Sequence, residues 1–395
     1  MTALSAQIQN LLTTSVQLLA GAAGLVFGAI QRDARVLVAE AAGKSSLDKP
    51  DPVTLDTVFA IYSMSKLITA IAAMELVEQG KVRLDDPIEK VAPEFAHIRI
   101  RAEDGTERAS KKKVTLRMLL THTSGFAYTL NNEIIFNLAK EREHDEFNGT
   151  KQGLLDMPVI QEPDTEFNYG TSIDWVGEIV SRLSGLTLDE FCRQNIFGPL
   201  GINGTGWTLS PEGRRKLAGL HERLADGSLG VREHMSMITL AHPYQSGGGG
   251  AFSDLHSFLT LAAMLLRDGV GTNGVRVLGH ETVDEMFRDQ IEHLPGTLDR
   301  PAANLRPDLV SENVPAAPVP KGYGLSFMIF KDELPTGRSA GTAWWAGLTN
   351  GQWTIDRTKG VAMVMLCSSL PLYDPAAFNP FLSAETAVYA SLASS

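Results

Sequence analysis

Residues 3–19 predict a helix, and two short apolar runs follow at 24–31 and 35–40, separated by Arg32-Asp33-Ala34. Two such runs around a polar turn predict a β-hairpin. The apolar run 58–62 leads directly into Ser63-Met64-Ser65-Lys66 and then into 67–77, an Ala-rich segment that is apolar nearly all round. A helix of that pattern is buried rather than laid on a surface, and Gly80 supplies its stop. From residue 114 to about 230 the pattern is mostly helical, with 173–184 and 188–195 the clearest segments. Gly-rich 246–250 breaks the chain before an apolar helix at 255–266. Residues 299–320 hold five prolines and few large apolar groups, which predicts an extended surface loop. Short β-rich runs at 326–330, 342–347, 351–355 and 360–366 precede a terminal helix from about Ala384.

Strands early, helices in the middle and strands late predict one sheet closed by both ends of the chain. The expected division is an α/β domain from residues 1–80 and 240–395, with a mainly helical lobe, 81–239, inserted. At 395 residues the chain is long enough for this arrangement and for a deep pocket.

Composition narrows the function. The formal charge of −11 argues against a nucleic-acid partner, which needs clustered Lys and Arg. The one basic run, Lys111 to Lys113, is short and reads as a solvated loop. Cys192 and Cys367 are too few and too far apart for a disulfide framework or a metal pair, so buried free thiols are expected. The apolar stretch 16–30 has no Lys or Arg before it and is interrupted by Gly21, Gly24 and Gly28. It reads as neither a signal peptide nor a spanning helix, which leaves no membrane partner and a cytoplasmic location as the expectation.

Three motifs carry candidate chemistry. In Ser63-x-x-Lys66 one helical turn separates the two residues, so the Lys amine folds back toward the hydroxyl at a helix N-terminus. A desolvated Lys loses its proton more readily and serves as the base that a Ser nucleophile needs. In Phe167-Asn168-Tyr169-Gly170-Thr171-Ser172, just ahead of a helix, Tyr169 projects a phenol able to shuttle a proton, or simply packs at the helix start. Trp344-Trp345-Ala346-Gly347-Leu348 is a short strand whose backbone N–H groups provide half of an oxyanion hole, the other half being the N–H of Ser63. Core packing of two tryptophans is the alternative there.

The order of these motifs resembles the serine β-lactamase and penicillin-binding-protein superfamily. Thr115-Leu116-Arg117-Met118-Leu119-Leu120-Thr121-His122-Thr123-Ser124-Gly125 and Gly247-Gly248-Gly249-Gly250-Ala251-Phe252-Ser253 are similar to further family segments, and the resemblance spans roughly residues 24–365. It implies a β-lactamase-like α/β (α+β) fold with an antiparallel sheet flanked by helices. It also implies Ser63 as nucleophile, Lys66 and Tyr169 as its base, the N–H groups of Ser63 and Leu348 as oxyanion hole, and Trp345, Ala346 and Gly347 along the substrate. Where β-lactamases and D,D-peptidases open the third motif with a carboxylate-binding Lys, this chain has Trp345. Trp345-Ala346-Gly347-Leu348-Thr349-Asn350 and Tyr169-Gly170-Thr171-Ser172-Ile173-Asp174-Trp175 instead look like the superfamily's esterases and fungal statin-type transesterases. The implied substrates are a neutral ester or thioester donor, with water, an alcohol or an acyl carrier on the receiving side. A penicillin-recognising enzyme and a non-catalytic binding protein on the same fold are the alternatives; Ala346, where Gly is more usual, would narrow the oxyanion hole.

Competing signals are weaker. Gly337-Arg338-Ser339-Ala340-Gly341 matches the nucleophile elbow of α/β-hydrolases, but polar residues and Pro335 precede it, so Ser339 is expected in a hairpin turn. His122 sits in a turn suited to a structural hydrogen bond, and His242 near the Gly-rich segment receives no role. No His/Asp/Glu spacing suggests a metal and no Gly-rich loop suggests a nucleotide; catalysis without a cofactor is expected.

Overall fold

The computed structural model describes residues 2–18, 21–143, 145–233, 244–300, 303–312 and 319–393; His242 lies outside them. Seven strands form the main sheet: β1 Gly24–Gln31, β2 Val36–Gly43, β3 Lys321–Tyr323, β4 Met328–Phe330, β5 Ala343–Ala346, β6 Gln352–Asp356 and β7 Val361–Cys367. Their order is β2-β1-β7-β6-β5-β4-β3, antiparallel throughout. The first strand is zipped to the last, from Leu25 opposite Cys367 to Gln31 opposite Val361, so both chain ends close the sheet as their apolar runs predict.

The period of two decides which helices cover which face. Leu25, Phe27 and Ala29, with Val361, Met363 and Met365, pack under helices α1 (Ala3–Gln17) and α5 (Pro375–Ala393). The alternate residues Val26, Ile30, Ala362, Val364 and Leu366 join the larger core around α2 (Ser65–Glu78), α3 (Ser172–Ser184) and α4 (Leu255–Leu266). Gly28 interrupts the apolar face of β1 because a Cβ there would lie 2.6 Å from Leu259 on α4. In α2 every residue from Ser65 to Leu76 except Glu75 is buried, as the absence of a polar face predicts. Among the described residues no helix is long and apolar enough to cross a membrane.

Two expectations are corrected. The terminal helix starts at Pro375, not near Ala384, and contains Pro380. Pro375 stands at the first helical position, where proline is tolerated, and Asp374 caps that turn, its side chain and carbonyl accepting from the N–H groups of Ala376 and Phe378. Within the proline-rich stretch, residues 303–312 lie at the surface but are not extended: the chain turns at 307–309 and is pinned there. Leu309 is 1% exposed and packs with Tyr62 and Leu348, while backbone bonds from Leu305 to Leu130 and from Ser311 to Leu372 fasten both ends. Within the largely helical middle of the chain, two small hairpins also appear, Arg99–Arg101 with Glu107–Ala109 and His221–Arg223 with Leu229–Val231.

Candidate active site

Ser63 lies in the 3-10 turn Tyr62–Met64 that leads into α2. Tyr62 holds φ at 43°, a left-handed conformation that a bulky side chain adopts only when its surroundings enforce it. Those surroundings are visible. Ser65 donates its hydroxyl to the Tyr62 carbonyl and accepts from the Ala251 N–H, and the far end of β5 presses on the turn through Gly347. A Cβ on Gly347 would sit 2.5 Å from the Ile61 carbonyl oxygen, so only glycine lets the third motif approach this closely. Leu348 then packs beside Tyr62. Asn350, at φ 67°, pins the following turn by donating to the Ser369 and Pro371 carbonyls, 2.8 Å each, and accepting from the Tyr373 N–H.

The helical offset brings Lys66 back onto Ser63, Nζ to Oγ 3.1 Å. Lys66 is fully buried and satisfied: its amine also reaches the Tyr128 hydroxyl at 3.3 Å and the Gly248 carbonyl at 2.7 Å. Tyr169 donates its hydroxyl to Ser63 Oγ at 2.7 Å and receives the Trp345 indole N–H at 3.4 Å. Ser63, Tyr169 and Trp345 retain partial exposure while Lys66 and Tyr128 have none to speak of. A reactant can thus touch the hydroxyls but not the amine. Ala346 and Gly347 are buried, so they shape this wall from behind.

The glycine-rich segment enters the site as a spacer. Gly247 lies where a Cβ would meet the Ile173 carbonyl at 2.7 Å, and Gly248 where one would meet the Asp174 carboxylate at 2.5 Å. The segment is thereby wedged between α2 and α3, presenting the Gly248 carbonyl to Lys66.

His122, read from sequence as a turn residue, clamps the tyrosine loop. Its carbonyl accepts from the Asn168 N–H at 2.8 Å and its Nδ1 from the Gly170 N–H at 3.4 Å, one on each side of Tyr169, and the two rings lie 4.8 Å apart. Burial, with the nearby Lys66 charge, holds its imidazole well below the usual histidine range, and therefore neutral.

Tyr128 and Asp174 escaped the sequence reading. Burial, followed by the Asp174 charge, drives the Tyr128 phenol well above the ordinary tyrosine range, which keeps it a hydroxyl. Asp174 is completely buried; burial raises its carboxyl, opposed by the Lys66 charge and by hydrogen bonds from Ser246 and Gly248. Both residues lie inside or just beyond stretches already singled out by their likeness to a family, which was the only signal for them. Among the described residues no group of three or more His, Cys, Asp or Glu is arranged to hold a metal ion. A cavity of about 680 Å³ floored by Phe95, Phe126 and Trp175 contains none of Ser63, Lys66, Tyr169 or Trp345.

Beside the site, Glu146 anchors the segment that carries Tyr128. Glu146 is buried, accepts the N–H and hydroxyl of Thr129 next to Tyr128, and has its carboxyl pushed up to about 7 by desolvation. Because the folded value exceeds the unfolded one, the fold favours the protonated acid: this stabilisation is full below about pH 4.5 and is lost as pH rises through 7. Glu146→Gln keeps an acceptor for Thr129 without the charge. It is expected to match the wild type below about pH 4 and to exceed it at pH 8 by up to about 3 kcal/mol. Denaturant midpoints of the two proteins across that range check this; parallel curves would show that Glu146 ionises as an ordinary carboxyl.

A seven-stranded antiparallel sheet flanked by helices, with a Ser-x-x-Lys turn heading a buried core helix, defines a β-lactamase-like protein. The Beta-lactamase family model matches residues 15–388, and the chain belongs to that family. Among its relatives are monacolin J acid methylbutanoyltransferase of Aspergillus terreus, 29% identical over 86% of this chain and 83% of that one, and lovastatin esterase of Penicillium rubens, 30% identical over 86% and 87%. The unliganded simvastatin synthase of Aspergillus terreus superposes with a TM-score of 0.86 at 25% identity, covering 99% of each chain. The relatives are thus acyltransferases and esterases, which supports an enzyme that transfers or hydrolyses acyl groups.

Proposed function

We propose that this protein is a serine acyl hydrolase or transesterase that works through an acyl-Ser63 intermediate on a neutral ester or thioester. The observation that carries the reading is the convergence on one oxygen: Ser63 Oγ lies 3.1 Å from Lys66 Nζ and 2.7 Å from the Tyr169 hydroxyl. Ser63 Oγ attacks the acyl carbonyl as its proton passes to the Lys66–Tyr169 pair, and the N–H groups of Ser63 and Leu348 hold the oxyanion. Collapse breaks the bond to the leaving alcohol or thiol, which departs with that proton. Water or an incoming alcohol then loses a proton to the same pair, attacks the acyl-enzyme and releases Ser63. Binding an alcohol against the aromatic wall of Tyr169 and Trp345 would favour transfer over hydrolysis by proximity. An indole at Trp345 offers no charge to a substrate carboxylate, which disfavours penicillin recognition.

The test is intact-mass spectrometry after brief exposure to p-nitrophenyl butyrate, with wild type and Ser63→Ala compared and p-nitrophenol release followed with and without added alcohols. A butyryl adduct that maps to Ser63 and is missing from Ser63→Ala is expected, and faster release with an alcohol identifies a transesterase. An adduct of equal yield in Ser63→Ala would overturn the assignment. Turnover of nitrocefin at a rate matching the ester would favour the penicillin-recognising alternative.

A further inference from the structure

Lys66 is met from every side by groups that bear on its proton: Ser63 one turn away, the phenols of Tyr128 and Tyr169 with its amine 5.3 and 4.7 Å from their ring centres, neutral His122, the Gly248 carbonyl, and Asp174. Asp174 is the one carboxylate among them, and it does not touch the amine through a hydrogen bond. It is joined to it by a chain. The Lys66 amine donates to the carbonyl of the 248–249 peptide at 2.7 Å; the N–H of that peptide, on Gly249, donates to Ser246 Oγ at 3.0 Å; and Ser246 donates its hydroxyl to Asp174 Oδ1. The Gly248 N–H donates to the same oxygen at 3.1 Å. A carboxylate at one end of such a chain polarises each link, so the carbonyl at the other end becomes a stronger acceptor for an ammonium. The second carboxylate oxygen, Oδ2, is buried with no hydrogen-bond partner among the described residues. A group held that way at the centre of a protein is costly unless something compensates its charge, and Lys66 is the cation that faces it.

We propose that Asp174 is a positioning residue for Lys66: through Ser246 and the 248–249 peptide it holds the ammonium in place and sets how readily the amine gives up its proton to begin a turnover. The inference rests on Ser63 and Lys66 acting as proposed above. Its consequence is that removing the buried negative charge moves the acidic limb of the reaction rate to lower pH. Tyr244, whose hydroxyl donates to the Asp174 carbonyl, closes the far side of α3 over the carboxylate.

The test is the rate of Ser63 modification by a fluorophosphonate as a function of pH, in wild type, Asp174→Asn and Ser246→Ala. Asparagine preserves Oδ1 as acceptor for Ser246 and Gly248 and removes the charge, with an amide NH2 in place of the unpartnered Oδ2. Its acidic limb is expected about one pH unit below that of wild type, with the plateau rate changed less than tenfold. Ser246→Ala cuts the chain midway and is expected to shift the limb in the same direction by a smaller amount. A folded Asp174→Asn whose limb coincides with wild type overturns the inference. If that variant does not fold, Ser246→Ala decides: a lowered limb supports the chain and an unmoved one overturns it. A wild type that is never labelled removes Ser63 as nucleophile and takes the inference with it, whereas a labelled wild type with unmoved limbs in the variants removes the inference alone.

Discussion

Lys66→Met is expected to lower kcat/KM for p-nitrophenyl butyrate by about 10²–10⁴-fold, the span that a positioned general base supplies. Methionine matches the length of the lysine stem and suits a site with no exposure, so the helix should keep its packing. What is lost is the amine that faces Ser63 Oγ, the Tyr128 hydroxyl and the Gly248 carbonyl together. The last two are left without that donor, at about 1–3 kcal/mol for each group that finds no replacement. Loss of stability and loss of rate are separable: circular dichroism and a denaturant midpoint report the first, and turnover by protein shown to be folded reports the second. A folded Lys66→Met protein within tenfold of wild type would exclude Lys66 as the base and leave Tyr169 to act alone.

That prediction depends on a motif the sequence exposes directly, because Ser63 and Lys66 are one helical turn apart and the helix that carries them has no polar face. Tyr169 and Trp345 are legible only through the resemblance to a family, because each local stretch taken alone reads as well as packing at a helix start or in a strand. Tyr128 and Asp174 are not. Their partners lie far away along the chain, Tyr128 being 62 residues from Lys66 and Asp174 being 72 from Ser246, and no periodicity marks a polar residue that becomes buried only when distant segments meet. His122 belongs between these cases. A turn histidine with a structural hydrogen bond is what the sequence suggests, and the structure adds that its bonds bracket the tyrosine of the site. The sheet follows the same division: apolar runs at both ends announce its closure, whereas Pro380 conceals the true start of the last helix, because a proline inside a helix looks like a barrier.

The Gly337-Arg338-Ser339-Ala340-Gly341 segment provides the second large effect. It forms the turn between β4 and β5, with the Ser339 N–H donating to Asp356 Oδ2 at 3.0 Å, and no helix follows it as a nucleophile elbow requires. Its chemistry lies in Arg338, whose side chain is 4% exposed and donates from Nε to Glu385 Oε1 at 2.7 Å on α5, among the rings of Phe330, Trp344 and Phe381. Arg338→Ala would strand a fully buried carboxylate and open a cavity between the sheet and the terminal helix. The expected loss is about 3–5 kcal/mol, read as a lowered urea midpoint. Replacing both partners, as Arg338→Met with Glu385→Leu, should recover most of it, since an apolar pair needs no compensating charge there. Ser339→Ala, by contrast, should leave ester turnover unchanged, its N–H still bound to Asp356. Were Ser339→Ala inactive and Ser63→Ala active, the nucleophile would belong to this turn. The fold argues otherwise: the start of β5 packs Trp344 beside Arg338 and Phe378 of the terminal helix, while the opposite end, at Gly347, abuts the Ser63 turn, so Ser339 and Ser63 lie toward opposite ends of one strand.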